Sequence, residues 1–260
     1  MNVTCAARRV KVTGDGRGVA SHAGALLIAE LADRVGLTAG LSEAMAHTRQ
    51  RRSAHDPGAV LAHLAVSLAD GGDCLSDVAV LRNQPELFGE VASDPTVFRV
   101  LNSIHSEGLR NIARARADAR ARAWAAGGAP TEIVIDLDGT LVDAHSDKQD
   151  AAATYKRGFG FYPIVAYLDE SGEALAGLLR AGNAGSNNAA DHLETLDRSL
   201  AQLPVAPHEV EMLVRTDSAG ATHDFVDGCR DRGVRFSIGL PVDQRVRDAL
   251  LLGSSDFSGV

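Results

Sequence analysis

The spacing of apolar residues changes character once along the chain, near residue 130. Before that point apolar positions recur every three or four residues, the period of an amphipathic helix. Leu26, Leu27, Leu31 and Val35 form one such run, with Ser21 as its predicted cap and Gly36 as its stop. Asp56-Pro57 predicts the start of a second helix through Leu61, Leu64, Ala65 and Leu68, closed by Gly71-Gly72. Ser76 is the predicted cap of a third, shorter helix, and Asp94-Pro95 opens a fourth. Glu107 to Ala125 reads as a long Arg/Ala helix carrying Arg110, Arg114, Arg116, Arg120 and Arg122. Ala126-Gly-Gly-Ala-Pro130 then breaks the pattern and marks a domain boundary.

After Pro130 the period shortens to that of strands. Glu132 to Leu137, Phe159 to Leu168, Glu173 to Arg180, Glu211 to Thr216 and Val234 to Ile238 are the predicted strands. Asp169-Glu-Ser-Gly172 is a tight turn between the second and third. Ser186 to Leu203 and Ala219 to Arg232 are helical, the second ended by Gly233, and Ser186 and Asn187 are the predicted caps of the first. The order strand, strand, strand, helix, strand, helix, strand is that of a ribonuclease-H-like α/β fold. The expected organisation is a helical domain over 1–130 followed by a ribonuclease-H-like mixed sheet over 131–260.

Two of the strand ends carry acids. Side chains alternate faces along a strand, so Asp136 and Asp138 share a face, about 7 Å apart along it. Asp217 ends the fourth strand. In a ribonuclease-H-like sheet the first and fourth strands are parallel neighbours, which brings Asp217 close to the first pair. Converging carboxylates repel one another and are tolerated where cations neutralise them, and hard divalent ions prefer oxygen ligands. Two such ions about 4 Å apart activate an attacking oxygen and stabilise a leaving one in phosphodiester chemistry. The structural alternative is that each Asp merely caps a turn or a following helix.

Composition narrows the partners without naming them. Of 260 residues, 45% are hydrophobic and only 4% aromatic, so the core is aliphatic. The net charge of −8 is unevenly spread: about +2 over residues 1–130 and about −10 over 131–260, counting Lys and Arg against Asp and Glu. An acidic half acts on DNA when its carboxylates hold cations and basic neighbours supply phosphate contacts. Three scattered cysteines without a CxxC motif argue against a disulfide framework or zinc site and fit a reducing cytoplasm. Met1 to Ala20 has no apolar core of a signal peptide, and no run is long enough to span a membrane.

The blocks Asp136 to Lys148, Tyr155 to Phe161, Leu179 to His192, Val214 to His223 and Arg235 to Gly239 resemble, in order and spacing, the DDE transposases of insertion-sequence family 1380. The resemblance runs from about residue 15 to the end of the chain. It implies a cytoplasmic, membrane-free enzyme that binds the terminal inverted repeats of its element, nicks DNA with Mg²⁺ or Mn²⁺ and joins the freed end to target DNA, acting as a homodimer when full length. Of the Asp, Asp, Glu triad that it implies, the first acid is Asp138, with Asp136 as the alternative, and the second is Asp217. Asp138 and Asp217 are the implied metal ligands. The third, a Glu on a later helix, has no counterpart, since no Glu follows Glu211. The expectation is a truncated, inactive N-terminal fragment.

Ile135-Asp-Leu-Asp-Gly-Thr140 also matches the opening motif of haloacid-dehalogenase-like Mg²⁺-dependent phosphatases, with Asp136 as nucleophile and Asp138 as general acid/base. No late acidic pair completes that motif set after Asp217. Among basic residues, Lys148, Lys156 and Arg157 flank the first acids, and Arg110 and Arg114 share a helix face at i, i+4. These five are the candidate DNA contacts, with Arg49, Arg51 and Arg52 as a further polar stretch; the alternative is a solvated charged surface. His145 and His223 lie near the predicted acids, and Asn183 and His192 have no assigned chemistry.

Overall fold

The computed structural model describes residues 21–49, 54–240, 243, 244 and 246–248. Predicted features at Met1 to Ala20, Arg51 and Arg52 lie outside them. The chain divides into two compact units, Met1–Gly128 and Ala129–Val260.

The first unit is helical: α1 (Ala25–Arg34), α2 (Leu37–Ala44), α3 (Pro57–Ala69), α4 (Ala79–Arg82), α5 (Pro85–Phe88), α6 (Asp94–Asn102) and α7 (Ser106–Ala123). Asp56 caps α3, its Oδ1 accepting from the Ala59 amide at 3.0 Å and from the Ser42 hydroxyl at 2.8 Å. Pro57 at the first helical position needs no amide partner. Two predicted caps are corrected. Gly24 holds the position before α1, not Ser21, and no side chain caps that end. Ser76 lies inside a 3₁₀ turn, Leu75–Val78, headed by Cys74. There the Asp77 carboxylate does the capping, accepting from the Cys74 and Asp73 amides, and those bonds hold its pKa below the usual range. The core gathers Ala25, Val60, Val66, Val78, Leu81, Phe88, Val91, Ala92 and Val97, aliphatic but for Phe88.

The second unit carries β1 (Ile133–Gly139), β2 (Val142–Asp143), β3 (Ala152–Ala153), β4 (Phe159–Phe161), β5 (Ile164–Leu168), β6 (Glu173–Leu178), α8 (Ala189–Leu200), β7 (Met212–Thr216), α9 (His223–Asp231) and β8 (Arg235–Ile238). The main sheet runs β6-β5-β1-β7-β8. The β1–β5 and β5–β6 pairs are antiparallel, and β1–β7 and β7–β8 are parallel. Three meandering strands joined to two parallel crossover strands make this a ribonuclease-H-like mixed sheet. α8 lies against β5 and β6. Ile135, Leu137, Ile164, Leu168, Leu175, Leu196, Met212, Val214 and Phe225 are buried, each side chain stabilising the fold by roughly 1.5–3 kcal/mol on transfer from water.

The predicted strand Phe159 to Leu168 is in fact two. Phe159–Phe161 belongs to a separate three-stranded sheet, β2-β4-β3, and only Ile164–Leu168 joins the main sheet. Pro163 is the reason: without an amide hydrogen it cannot donate within a ladder. At the switch the Tyr162 amide turns to the Arg180 carbonyl (3.1 Å), and the Pro163 carbonyl accepts from Thr140 (3.0 Å). The α8 cap is also corrected: Asn188 accepts from the Ala190 and Asp191 amides, while the Ser186 hydroxyl donates to Asn187. No described helix is long and apolar enough to cross a membrane.

Candidate active site

The alternation of β1 and β7 builds the site. Ile133, Ile135 and Leu137 are buried, as are Met212, Val214 and Thr216, so Asp136, Asp138 and Arg215 take the opposite face. The parallel register pairs Asp136 with Arg215 and Leu137 with Thr216. One residue beyond this last registered pair lie Asp138, still within β1, and Asp217, just past the end of β7. Both acids are exposed. Asp217 also heads the 3₁₀ turn Ser218–Gly220, its Oδ1 accepting from the Ala219 amide at 2.8 Å. Among the described residues neither acid has an ion-pair partner.

Asp136 is arranged differently. Its Oδ1 and Oδ2 accept from Arg215 Nε and Nη2, both at 2.6 Å, and Nη2 also reaches Asp169 Oδ1 at 2.6 Å. The hydrogen bonds to Asp136, then those to Asp169, raise the pKa of the Arg215 guanidinium far above its ordinary value. Asp136 is thus held two-pronged by an arginine of the next strand. This corrects the phosphatase alternative, which needs Asp136 as a free nucleophile: both of its oxygens are engaged, and β1 lies antiparallel to β5 within the ribonuclease-H-like sheet.

A tyrosine that sequence reasoning did not single out completes the surroundings. Tyr162 is buried, and a Cβ added at Gly139 would lie 2.7 Å from its hydroxyl oxygen. Glycine after Asp138 is therefore what lets the phenol approach β1. Arg180, also buried, locks the ring: its guanidinium carbon lies 4.8 Å from the ring centroid, and Nε donates to the Tyr162 carbonyl at 2.9 Å. Nη1 donates to the Gly185 carbonyl and pairs with Asp191 at 3.1 Å. Burial pushes the Tyr162 pKa up, Tyr155, Asp217 and Asp138 add to the shift, and Arg180 opposes it. The phenol thus senses both acids. The signal that points to this pair is Pro163, whose break leaves Tyr162 at a strand switch.

Lys148, Lys156 and Arg157 are all exposed. Lys156 and Arg157 sit with Tyr155 at the turn between β3 and β4, and the Lys156 ammonium lies 5.7 Å from the Tyr155 ring centroid. In the helical unit Arg110 and Arg114 are exposed on one face of α7. Arg120 is buried instead, and Arg122 donates to the Val35 carbonyl at 2.8 Å. Arg49 pairs with Asp56 at 3.7 Å. His145 stacks on Phe159, with ring centroids 6.0 Å apart. His192 is buried edge-on to Phe225, its Nδ1 2.8 Å from the Asn188 carbonyl oxygen; it is structural. His223 begins α9, and Asn183 is exposed.

The donor set suits a hard cation in part. Two exposed carboxylates offer oxygen ligands, the manner in which Mg²⁺ is held by one or two carboxylates with water and substrate phosphates completing its shell. Among the described residues no cluster of three or more His, Cys, Asp or Glu side chains forms.

A ribonuclease-H-like sheet with acids paired at the ends of its first and fourth strands defines the DDE class of nucleic-acid-processing domains. The model of the family described as Transposase DDE domain group 1 matches residues 2–254. The chain belongs to that family. No curated protein matches it. Among solved structures, the catalytic core domain of BIV integrase is 12% identical with a TM-score of 0.28, over 48% of this chain and 66% of that one. A chain of the simian T-cell lymphotropic virus intasome, solved in complex with PP2A regulatory subunit B56 gamma, is 18% identical with a TM-score of 0.30, over 70% of this chain and 60% of that one. The chain thus spans less than two thirds of either structure's own length.

Proposed function

We propose that this chain is the strand-cleaving and strand-transferring part of a bacterial insertion-sequence transposase of family 1380, with Asp138 and Asp217 as two of its catalytic acids. The observation that supports the reading is the parallel β1–β7 pairing, whose last registered pair, Leu137 with Thr216, immediately precedes the exposed Asp138 and Asp217. Asp138 is preferred to Asp136 because Arg215 already occupies both oxygens of Asp136. No Glu follows Glu211 in this sequence, so the reading assigns two acids of the triad.

Asp138 and Asp217 would hold Mg²⁺ or Mn²⁺. When bound, such an ion activates the attacking oxygen and offsets charge on the leaving one. The rest is the chain's own chemistry. On their own the two carboxylates repel a phosphodiester, so they would hold the ion while basic residues supply the phosphate contacts. The neutral Tyr162 phenol lines the β1 side without adding charge. Lys148, Lys156 and Arg157 meet the DNA backbone near the acids. Arg110 and Arg114 give the helical unit a second phosphate-contacting surface, which makes it the DNA-binding domain. Terminal inverted repeats and target DNA are the substrates, a homodimer the working form and the cytoplasm its compartment.

Mn²⁺ binding followed by electron paramagnetic resonance tests the acids, and a gel shift on the element's inverted repeats tests the partner. Asp138→Asn and Asp217→Asn should each abolish most Mn²⁺ binding. Unchanged Mn²⁺ affinity in the double variant sinks the reading.

A further inference from the structure

We infer that Tyr155 is a stacking platform for an unpaired nucleobase next to the phosphodiester at Asp138 and Asp217, with Lys156 and Arg157 meeting the flanking phosphates. The inference rests on the acid-pair reading above and adds a nucleotide subsite to it. Tyr155 is 68% exposed, a large ring turned to water in a chain poor in aromatics. It sits at the tip of the β3–β4 hairpin, and that tip is firmly built. The Arg157 amide donates to the Thr154 carbonyl at 3.0 Å and the Thr154 amide to the Gly158 carbonyl at 2.9 Å. The Gly158 amide donates to the Thr154 hydroxyl oxygen at 3.1 Å. Arg157 closes the turn in the left-handed region, φ 66°.

The hairpin is also aimed. Tyr155 meets Tyr162 edge to face, with centroids 5.8 Å apart and ring planes at 63°. Tyr162 in turn abuts Gly139, the residue after Asp138. The series Tyr155, Tyr162, Gly139, Asp138 is therefore continuous, and the Lys156 ammonium lies 5.7 Å from the Tyr155 ring centroid. Lys156 and Arg157 have no ion-pair partner among the described residues. An exposed aromatic with adjacent cations is the equipment of single-strand recognition, where every base offers a π-face and the backbone needs positive charge. In a duplex both faces of a base are covered by its neighbours, so the platform selects frayed or single-stranded DNA.

The test uses the full chain, with a short single-stranded oligonucleotide carrying a fluorescent adenine analogue that is quenched by stacking, and a blunt duplex of the same sequence. The wild type should bind the single strand and quench the analogue. Tyr155→Ala should abolish quenching and weaken single-strand binding about tenfold more than duplex binding, and Tyr155→Phe should restore both. Equal loss on the two substrates, no loss, no rescue by Phe, or a wild type that ignores single strands each overturns the platform. Mn²⁺ binding by the same variants keeps the two readings apart: retained affinity in Tyr155→Ala leaves the acid pair standing whatever becomes of the platform.

Discussion

Two rungs on the same face of the β1–β7 pair handle negative charge in opposite ways. At the inner rung Asp136 faces Arg215, which also reaches Asp169, so the chain supplies its own cation. At the outer end Asp138 and Asp217 follow the last registered pair, and among the described residues neither has an ion-pair partner. The residue types are the same, and what differs is the partner opposite. An acid neutralised within the sheet holds strands together, whereas acids left bare at the strand ends are, in the proposed reading, open to charge from outside.

The largest effect expected from breaking this contrast is on cation affinity. Asp138→Asn should weaken Mn²⁺ binding on the order of a hundredfold, while Asp136→Asn should change it less than about threefold; isothermal titration reads both. Similar losses would mean that the two rungs form one site. Next comes Gly139→Ala. Its Cβ would lie 2.7 Å from the Tyr162 hydroxyl oxygen, and since Arg180 pins that ring, the strain should cost about 1–3 kcal/mol in urea denaturation. Arg215→Ala should cost less, about 1 kcal/mol, because the bridge is part-exposed. That loss should shrink in high salt.

The smallest effect is a pH dependence. Tyr162 has its pKa raised from 10.0 in the fold, mainly by burial. Above pH 10 the folded state therefore keeps a proton that the unfolded state loses. This contribution is fully present below pH 10 and is lost as pH rises through the folded value. With Tyr155 and Tyr167 changed to Phe, tyrosinate absorbance should show Tyr162 titrating later in the folded protein than after denaturation. Coincident curves would show that the phenol is not buried as described.

Much of this was legible in the sequence. The helical-to-strand change of period, the strand order and the two acid-bearing strand ends all follow from alternation and turn residues. Several things were not, among them the short strands β2 and β3 and the part played by Tyr162. The run Phe159 to Leu168 is apolar throughout, so its periodicity cannot show that it serves two sheets; only Pro163 hints at it. Ser21, Ser76 and Ser186 look like caps because serine often is one, but which of several polar neighbours bonds the free amides depends on local backbone geometry. The choice between Asp136 and Asp138 turns on Arg215, which lies 79 positions from Asp136. No local pattern reports that encounter.

The β2-β4-β3 sheet has a consequence for how such a protein changes over generations. Its strands pair with one another, and it meets the segment after β6 only through the Phe161–Ala181 bridge, with β5 taking up the main ladder after Pro163. Residues between Val142 and Phe161 thus form a cassette whose tip can be rewritten without unpairing any strand beneath the acids. Sequence drift can proceed there while the main-sheet ladder stays fixed.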